Sequence, residues 1–173
     1  MAMFLKLYLR YLKERNPLKW ARKIGVNIGS GTLIGSGCEF GSEPYLITIG
    51  SHCQITNHVS FFTHGGGNVV RRIDKSFDVF GKIMVHDWAY IGSQSIIMPG
   101  VTIGEGSLIA AGSVVTHSIP PGVVAGGNPA RIICSIDEYY LKNKPYDVSS
   151  KGLSQKEKKQ LLLSQSEDSF IQK

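Results

Sequence analysis

The feature that most constrains the fold is a strict six-residue rhythm. Large aliphatic or aromatic residues stand at Ile28, Ile34 and Phe40, and resume at Ile49, Ile55 and Phe61 after a three-residue insertion around Pro44. They return at Val85, Ile91, Ile97, Ile103, Ile109 and Val115. Four places after most of them comes a small or β-branched residue: Thr32, Cys38, Cys53, Val59, Ala89, Ser95, Val101, Ser107 and Ser113. Glycine often follows the aliphatic directly, as at Gly29, Gly35, Gly41, Gly50, Gly92 and Gly104. A helix of 3.6 residues per turn does not generate strict sixes, and a simple strand alternates by two without a fixed small-residue slot. Such repeats point to a solenoid, in which each unit buries its apolar face only against its neighbours.

Six residues suit one short, flat strand plus a corner, and three such units close a triangular circuit of 18 residues. The first-position aliphatics then fill the interior and stack one circuit on, Ile91 under Ile109 and Ile97 under Val115. Glycine and small residues take the corners, where crowding or a positive φ penalises anything larger. With circuits about 4.8 Å apart, roughly five of them between Ile28 and Ile133 make an all-β prism on the order of 25 Å tall. Cys38 and Cys53 fall in the small-residue slot and are expected to pack rather than react.

Charge narrows the partners. The chain has 173 residues, 19 Lys and Arg, and 13 Asp and Glu. Residues 1–23 carry seven basic side chains and one acid, whereas the rest balances at 12 and 12. The basic surplus therefore belongs to a short arm, and a nucleic-acid-binding face across the body is excluded. No run of about 18 apolar residues is present to span a membrane. Three cysteines without CxxC spacing exclude a disulfide scaffold and a zinc knuckle, and suit a reducing compartment. His52, His58 and His64 repeat one slot in three successive units, so they point off different faces; no metal site is expected. His58, beside Asn57, is a candidate for lining an acceptor pocket, with a plain surface role as the alternative.

Between Phe61 and Val85 the rhythm stops. Residues 64–82 begin with His64 and three glycines and continue with Arg71, Arg72, Asp74, Lys75 and Asp78, which have no place inside a prism wall. Loops longer than about 12–15 residues in compact domains are usually functional. The segment is expected to leave at a corner and return at Gly81, with His64 at its root.

The blocks Ile91–Gly104 (IGSQSIIMPGVTIG), Ile109–Thr116 (IAAGSVVT) and Gly126–Ile132 (GGNPARI) resemble the hexapeptide-repeat acyltransferases. The stretch from Ile49 to Ile133 is most similar to their sugar O-acetyltransferase branch. The resemblance implies a left-handed parallel β-helix, an exception to the usual right-handed crossover, assembled as a homotrimer with active sites between subunits. It implies acetyl-CoA as co-substrate and a sugar or saccharide hydroxyl as acceptor. His64 matches the family's catalytic base, a role suited to a group titrating near neutrality. Asp74 or Asp78 is a candidate to orient it. Ser93 matches a serine near the reacting carbonyl, with a structural corner role as the alternative, and Tyr90 matches an aromatic lining the cleft. Ala111, Gly112 and Ser113 form a small-residue corner that leaves backbone free for pantetheine. Thr116 and Arg131 match positions facing coenzyme A, although His117 stands where many relatives carry lysine. The same base and donor also serve N-acetylation of an amino sugar. A non-catalytic β-helical scaffold would need neither.

The chain divides into an N-terminal segment 1–23, the repeat region 24–133 and a C-terminal extension 134–173. In the first, Phe4, Leu5, Tyr8, Leu9 and Leu12 form an apolar helical stripe with Lys6, Arg10 and Lys13 around it. It either caps the open end of the solenoid or lies on an anionic membrane; Pro17 ends it or opens a second segment. A cytoplasmic location is expected, at the inner membrane face if the helix binds lipid. In the extension, Ser135 with Glu138 and Ser154 with Glu157 predict capped helices near 136–143 and 155–164, followed by a frayed tail.

Overall fold

The structure is a computed structural model that describes residues 2–172. Met1 and Lys173, the outer ends of the expected N-terminal segment and tail, lie outside the described residues. The chain forms two compact units, the first running through Ile136 and the second starting at Asp137.

The first unit opens with two helices, α1 (Ala2–Arg15) and α2 (Pro17–Ile24), rather than one continuous segment. Pro17 takes the first position of α2, where its missing N–H costs nothing. The Asn16 carboxamide oxygen accepts from the Lys19 N–H at 2.9 Å. Gly25, at φ 116°, ends the helix in the left-handed conformation. Capping falls to α2: Ala21 is fully buried, Leu18, Trp20 and Ile24 pack against the core, and the Trp20 ring centroid lies 5.7 Å from that of Phe40.

The repeat region then circulates among three sheets. The first circuit holds β1 (Asn27–Ile28) and β2 (Leu33–Ile34), with Glu39 bridged to Ser60. The second holds β3 (Ile47–Ile49), β4 (Gln54–Ile55) and β5 (Ser60–Phe61). After the excursion, with its single helical turn α3 (Gly67–Val70), come β6 (Ile83–Val85), β7 (Tyr90–Ile91) and β8 (Ile96–Ile97). The fourth circuit is β9 (Thr102–Ile103), β10 (Leu108–Ile109) and β11 (Val114–Val115), and β12 (Val123–Gly127) begins a fifth. Strand β13 (Ala130–Ser135) turns back antiparallel to β12 after the cis Asn128–Pro129 bond.

The sheet orders are β1-β3-β6-β9, β13-β12-β10-β7-β4-β2 and β11-β8-β5, and every pair except β12–β13 is parallel. Ile91 pairs with Ile109, and Ile97 with Val115, the registers that an 18-residue circuit requires. Ile28 pairs with Ile49, so the insertion around Pro44 is absorbed as a 3-10 turn, Pro44–Leu46, without breaking the stack. Each two-residue strand sends one side chain inward. Phe40, Phe61, Ile91, Ile97, Ile103 and Ile109 are essentially fully buried, each worth about 1.5–3 kcal/mol of transfer energy. Phe40 and Phe61 stack at 5.3 Å. Cys38 and Cys53 are buried, and burial raises both thiol pKa values, consistent with packing.

The corners depart from the expectation that glycine meets every positive φ. Gly106 and Gly112 do so, but His52, His58, Trp88 and Gln94 hold the same slots at φ 57–62°. Side-chain contacts compensate: the His52 ring stacks on Trp88 at 4.4 Å, and the His52 and His58 rings occupy the space left by the missing Cβ of Gly31 and Gly37.

In the second unit, α4 (Ile136–Asn143) and α5 (Gln155–Leu163) fall where the capping signals place them. Ser154 and Glu157 form a reciprocal capping box. No helix of the described residues is long and apolar enough to cross a membrane.

Candidate active site

His64 sits at the corner between the third and first sheets, just past β5. Its backbone bridges antiparallel to Phe80, and the Gly81 N–H donates to the Thr63 carbonyl at 2.7 Å, so the excursion is pinned at its neck. The His64 and Phe80 rings meet at 5.2 Å. Inside the loop, Arg71 donates to the Phe77 carbonyl and pairs with Asp78 at 3.1 Å, while Asp74 accepts from the Ser76 hydroxyl and N–H. Both aspartates are thus engaged within the loop, and neither orients the histidine.

Glu43 does. Its Oε2 lies 2.7 Å from His64 Nδ1 and accepts from the buried Thr63 hydroxyl at 2.9 Å. The Nδ1 atom is itself buried, and its N–H is not aimed along the line to the oxygen, so this is a close electrostatic pairing rather than an aligned hydrogen bond. Partial burial pushes the Glu43 carboxyl up, but hydrogen bonds from Thr63 and Ser42 and the attraction of His64 outweigh this, holding its pKa below the ordinary 4.5. The carboxylate is therefore ionised at neutral pH. The His64 side chain is 38% exposed, and because Nδ1 is covered, that exposure belongs to the rest of the ring. Glu43 belongs to the insertion around Pro44, one circuit earlier at the same corner. That slip in the six-residue rhythm was the one available signal for it.

The remaining candidates occupy other parts of the chain. Asn57, His58, Ser93, Ala111 and Gly112 stack along the next corner, between the second and third sheets. There the Gln94 N–H donates to the Asn57 carbonyl at 3.1 Å, and the Gly112 N–H to the Ser93 carbonyl at 2.8 Å. The Asn57 carboxamide oxygen accepts from the Ser36 N–H at 3.0 Å. The Ser93 hydroxyl donates to Thr56 Oγ1 at 3.1 Å, and Thr56 donates on to the Ile91 carbonyl. Ala111 is exposed, and Gly92 stands behind it, where a Cβ would collide with the Ala110–Ala111 backbone. Ser113 is buried, its hydroxyl donating to the Ala110 carbonyl and accepting from the Gly127 N–H, so it shapes this corner from inside. Tyr90, 37% exposed, lies on β7 of the second sheet.

Thr116 lies on the His64 corner two circuits further on, its hydroxyl 2.9 Å from His117 Nδ1. Beside it, His117, Ser118, Ala130 and Arg131 line an open cleft of about 510 Å³. One Arg131 nitrogen donates to its neighbour Ala130, and the guanidinium is otherwise available to the cleft. Among the described residues no three His, Cys, Asp or Glu side chains converge as a metal site. Within one chain, then, the Glu43–His64 pair and the Ser93–Ala111 surface are on separate corners.

Comparison with known proteins gives these residues a setting. Residues 83–117 match the family described as bacterial transferase hexapeptide (six repeats). Protein CapG of Staphylococcus aureus is 43% identical over 161 residues, covering 91% of this chain and 94% of CapG. Galactoside O-acetyltransferase of Escherichia coli (strain K12) is 39% identical over 113 residues, 62% of this chain and 54% of that enzyme. A crystal structure of a hexapeptide-repeat-containing acetyltransferase from Vibrio cholerae O1 biovar eltor, complexed with acetyl coenzyme A, superimposes with a TM-score of 0.58 at 36% identity, over 64% of this chain and 60% of that one. The chain thus spans nearly all of CapG but little more than half of the two named acetyltransferases. With the six-residue rhythm, the matched repeats and a relative aligned almost end to end, the chain belongs to the hexapeptide-repeat acetyltransferase family.

Proposed function

We propose that the protein transfers an acetyl group from acetyl-CoA to a hydroxyl of a sugar or polysaccharide intermediate, with His64 as general base. The observation that carries this is the Glu43–His64 pair at the neck of the sole long excursion from the repeat, in which Nδ1 faces a carboxylate held ionised. Nε2 is then the nitrogen left to accept a proton. The acceptor hydroxyl gives its proton to Nε2 as its oxygen adds to the thioester carbonyl. The imidazolium, stabilised by Glu43, returns that proton to the departing thiolate as the C–S bond breaks, yielding an acetyl ester and free coenzyme A. No acyl-enzyme is formed, and Cys38 and Cys53 are buried away from any such role.

The donor is assigned to the Ala111–Gly112 corner, with Tyr90 beside the reacting end, Ser93 positioned toward the thioester oxygen and Ser113 supporting the corner, while Thr116 and Arg131, on the His64 corner of the adjoining subunit, face the coenzyme phosphates. Asn57 and His58 face the acceptor. The separation of this surface from His64 within one chain is met by a homotrimer of left-handed β-helices, where the His64 corner of one subunit meets the donor corner of the next. The activity for which the galactoside O-acetyltransferase is named and the acetyl-CoA in the Vibrio cholerae crystal structure support both substrates. Because acetyl-CoA is made inside the cell, the reaction is placed in the cytoplasm.

His64→Ala should retain its fold and acetyl-CoA binding while losing on the order of 10²–10⁴-fold in turnover, the span for a general base. A coenzyme-release assay across hydroxyl and amino sugars measures this and identifies the acceptor. Unchanged kcat/KM removes His64 from the mechanism, preference for amino sugars replaces the ester product with an amide, and failure of the wild type to bind acetyl-CoA in calorimetry favours a scaffold.

A further inference from the structure

The first helix carries more apolar surface than the fold consumes. Among the described side chains of α1 only Leu12 is buried, with Leu9 and Lys13 half-buried beside it. Phe4, Leu7 and Tyr11, spaced i, i+3 and i+7, are 73%, 58% and 60% exposed, and Tyr8 at i+4 is 40% exposed. That spacing is one continuous helical stripe, distinct from the side that Leu9 and Leu12 turn toward the protein. The capping duty that could have accounted for an apolar N-terminal helix is carried by α2, whose Ala21 and Trp20 sit on the core.

The charge on α1 is mostly basic, with Lys6, Arg10, Lys13 and Arg15 against one acid, Glu14, which stands at i+3 from Tyr11 on the stripe's own side. Lys13 pairs with Glu39, Arg22 donates to the carbonyls of Ile28 and Gly29, and Lys23 lies 5.6 Å over the Tyr8 ring. Lys6, Arg10, Arg15 and Lys19 make no ion pair among the described residues. A second copy of the helix is a poor occupant, because pairing would press together two helices that each hold four basic residues and one acid. An anionic bilayer supplies what both features lack: opposite charge at the headgroups and an apolar layer just beneath. At 14 residues α1 is about 21 Å long, enough to lie on such a surface and too short to cross it.

We propose that α1 is an interfacial anchor, with Phe4, Leu7 and Tyr11 entering an anionic lipid surface while Lys6, Arg10, Arg15 and Lys19 meet its headgroups. This binding is independent of the acetyl-transfer chemistry, and none of these residues belongs to the candidate active site.

The test is co-sedimentation of the full-length protein with phosphatidylcholine vesicles and with vesicles containing about a third phosphatidylglycerol, where each basic residue near the surface strengthens binding roughly fivefold. The wild type should partition onto the anionic vesicles, less as salt rises, and far less onto the neutral ones. The Phe4→Ser/Tyr11→Ser double variant should lose at least about tenfold in partition at unchanged melting temperature, since both side chains are exposed. Lys6→Gln/Arg10→Gln should lose roughly 25-fold. Failure of the wild type to bind anionic vesicles, or partition unaltered in both variants, overturns the proposal. So does a stripe variant that changes the oligomeric state by sedimentation velocity but leaves vesicle binding intact, which would assign the stripe to contact between copies.

Discussion

Glu43 gives His64 a partner whose charge survives across neutral pH. Its pKa is lower in the folded chain than the ordinary 4.5, so its stabilising contribution is complete above that value and is lost as pH falls through the depressed one. Glu43 should therefore stay a carboxylate facing His64 throughout the neutral range and be protonated only in acid. Glu43→Gln removes the charge at nearly constant volume and should lower kcat on the order of 10–10²-fold with little change in acetyl-CoA affinity, and Glu43→Asp should recover part of the loss. Equal activity in the Gln variant would leave Glu43 a purely structural residue. Arg131→Ala should act in the opposite sense, weakening acetyl-CoA binding roughly tenfold in calorimetry through loss of a charged donor; an unaltered Kd refutes that assignment. His64 was visible in the sequence because it stands where a regular pattern ends. Glu43 was not, because its partnership depends on how a three-residue insertion folds one circuit away, and the acids nearest in sequence, Asp74 and Asp78, are spent on Ser76 and Arg71.

At the level of elements, the repeat dictates where backbone must pass close to backbone. Gly92 faces the Ala110–Ala111 peptide of the next circuit, so a methyl group there must force the circuits apart. Gly92→Ala should cost about 1–3 kcal/mol, the usual penalty of overpacking, read as a lower midpoint in denaturant melts; an unchanged midpoint would mean that the stack yields easily at that corner. The strand registers after the excursion were legible because Val85, Ile91 and Ile97 each have an equivalent 18 residues on, at Ile103, Ile109 and Val115. The corner conformations were less so: a glycine slot filled by His52 or Trp88 gives no local sign that stacking between circuits offsets the left-handed backbone. The antiparallel return of β13 was also hidden, since residues 130–135 lie beyond the last clear repeat. The two C-terminal helices were readable because Ser154 and Glu157 encode a cap locally.

For the whole molecule, the essential point is that one chain holds the proposed base, His64, and the proposed donor surface, around Ala111, on separate corners. Its core, its three sheets and its excursion follow from the six-residue pattern, but in the proposed trimer the meeting of His64 with Ala111 belongs to the assembly, which one chain's hydrophobic rhythm does not encode. The decisive measurement combines two inactive partners, His64→Ala and Ala111→Trp, the second blocking the donor corner with a bulky ring. Neither homotrimer should turn over. Co-assembled at random from equal amounts of the two chains, the whole preparation should recover about a quarter of wild-type activity, the fraction of all sites that draw an intact base from one chain and an intact donor surface from its neighbour. Mixed assemblies as inactive as either parent would contradict the shared site.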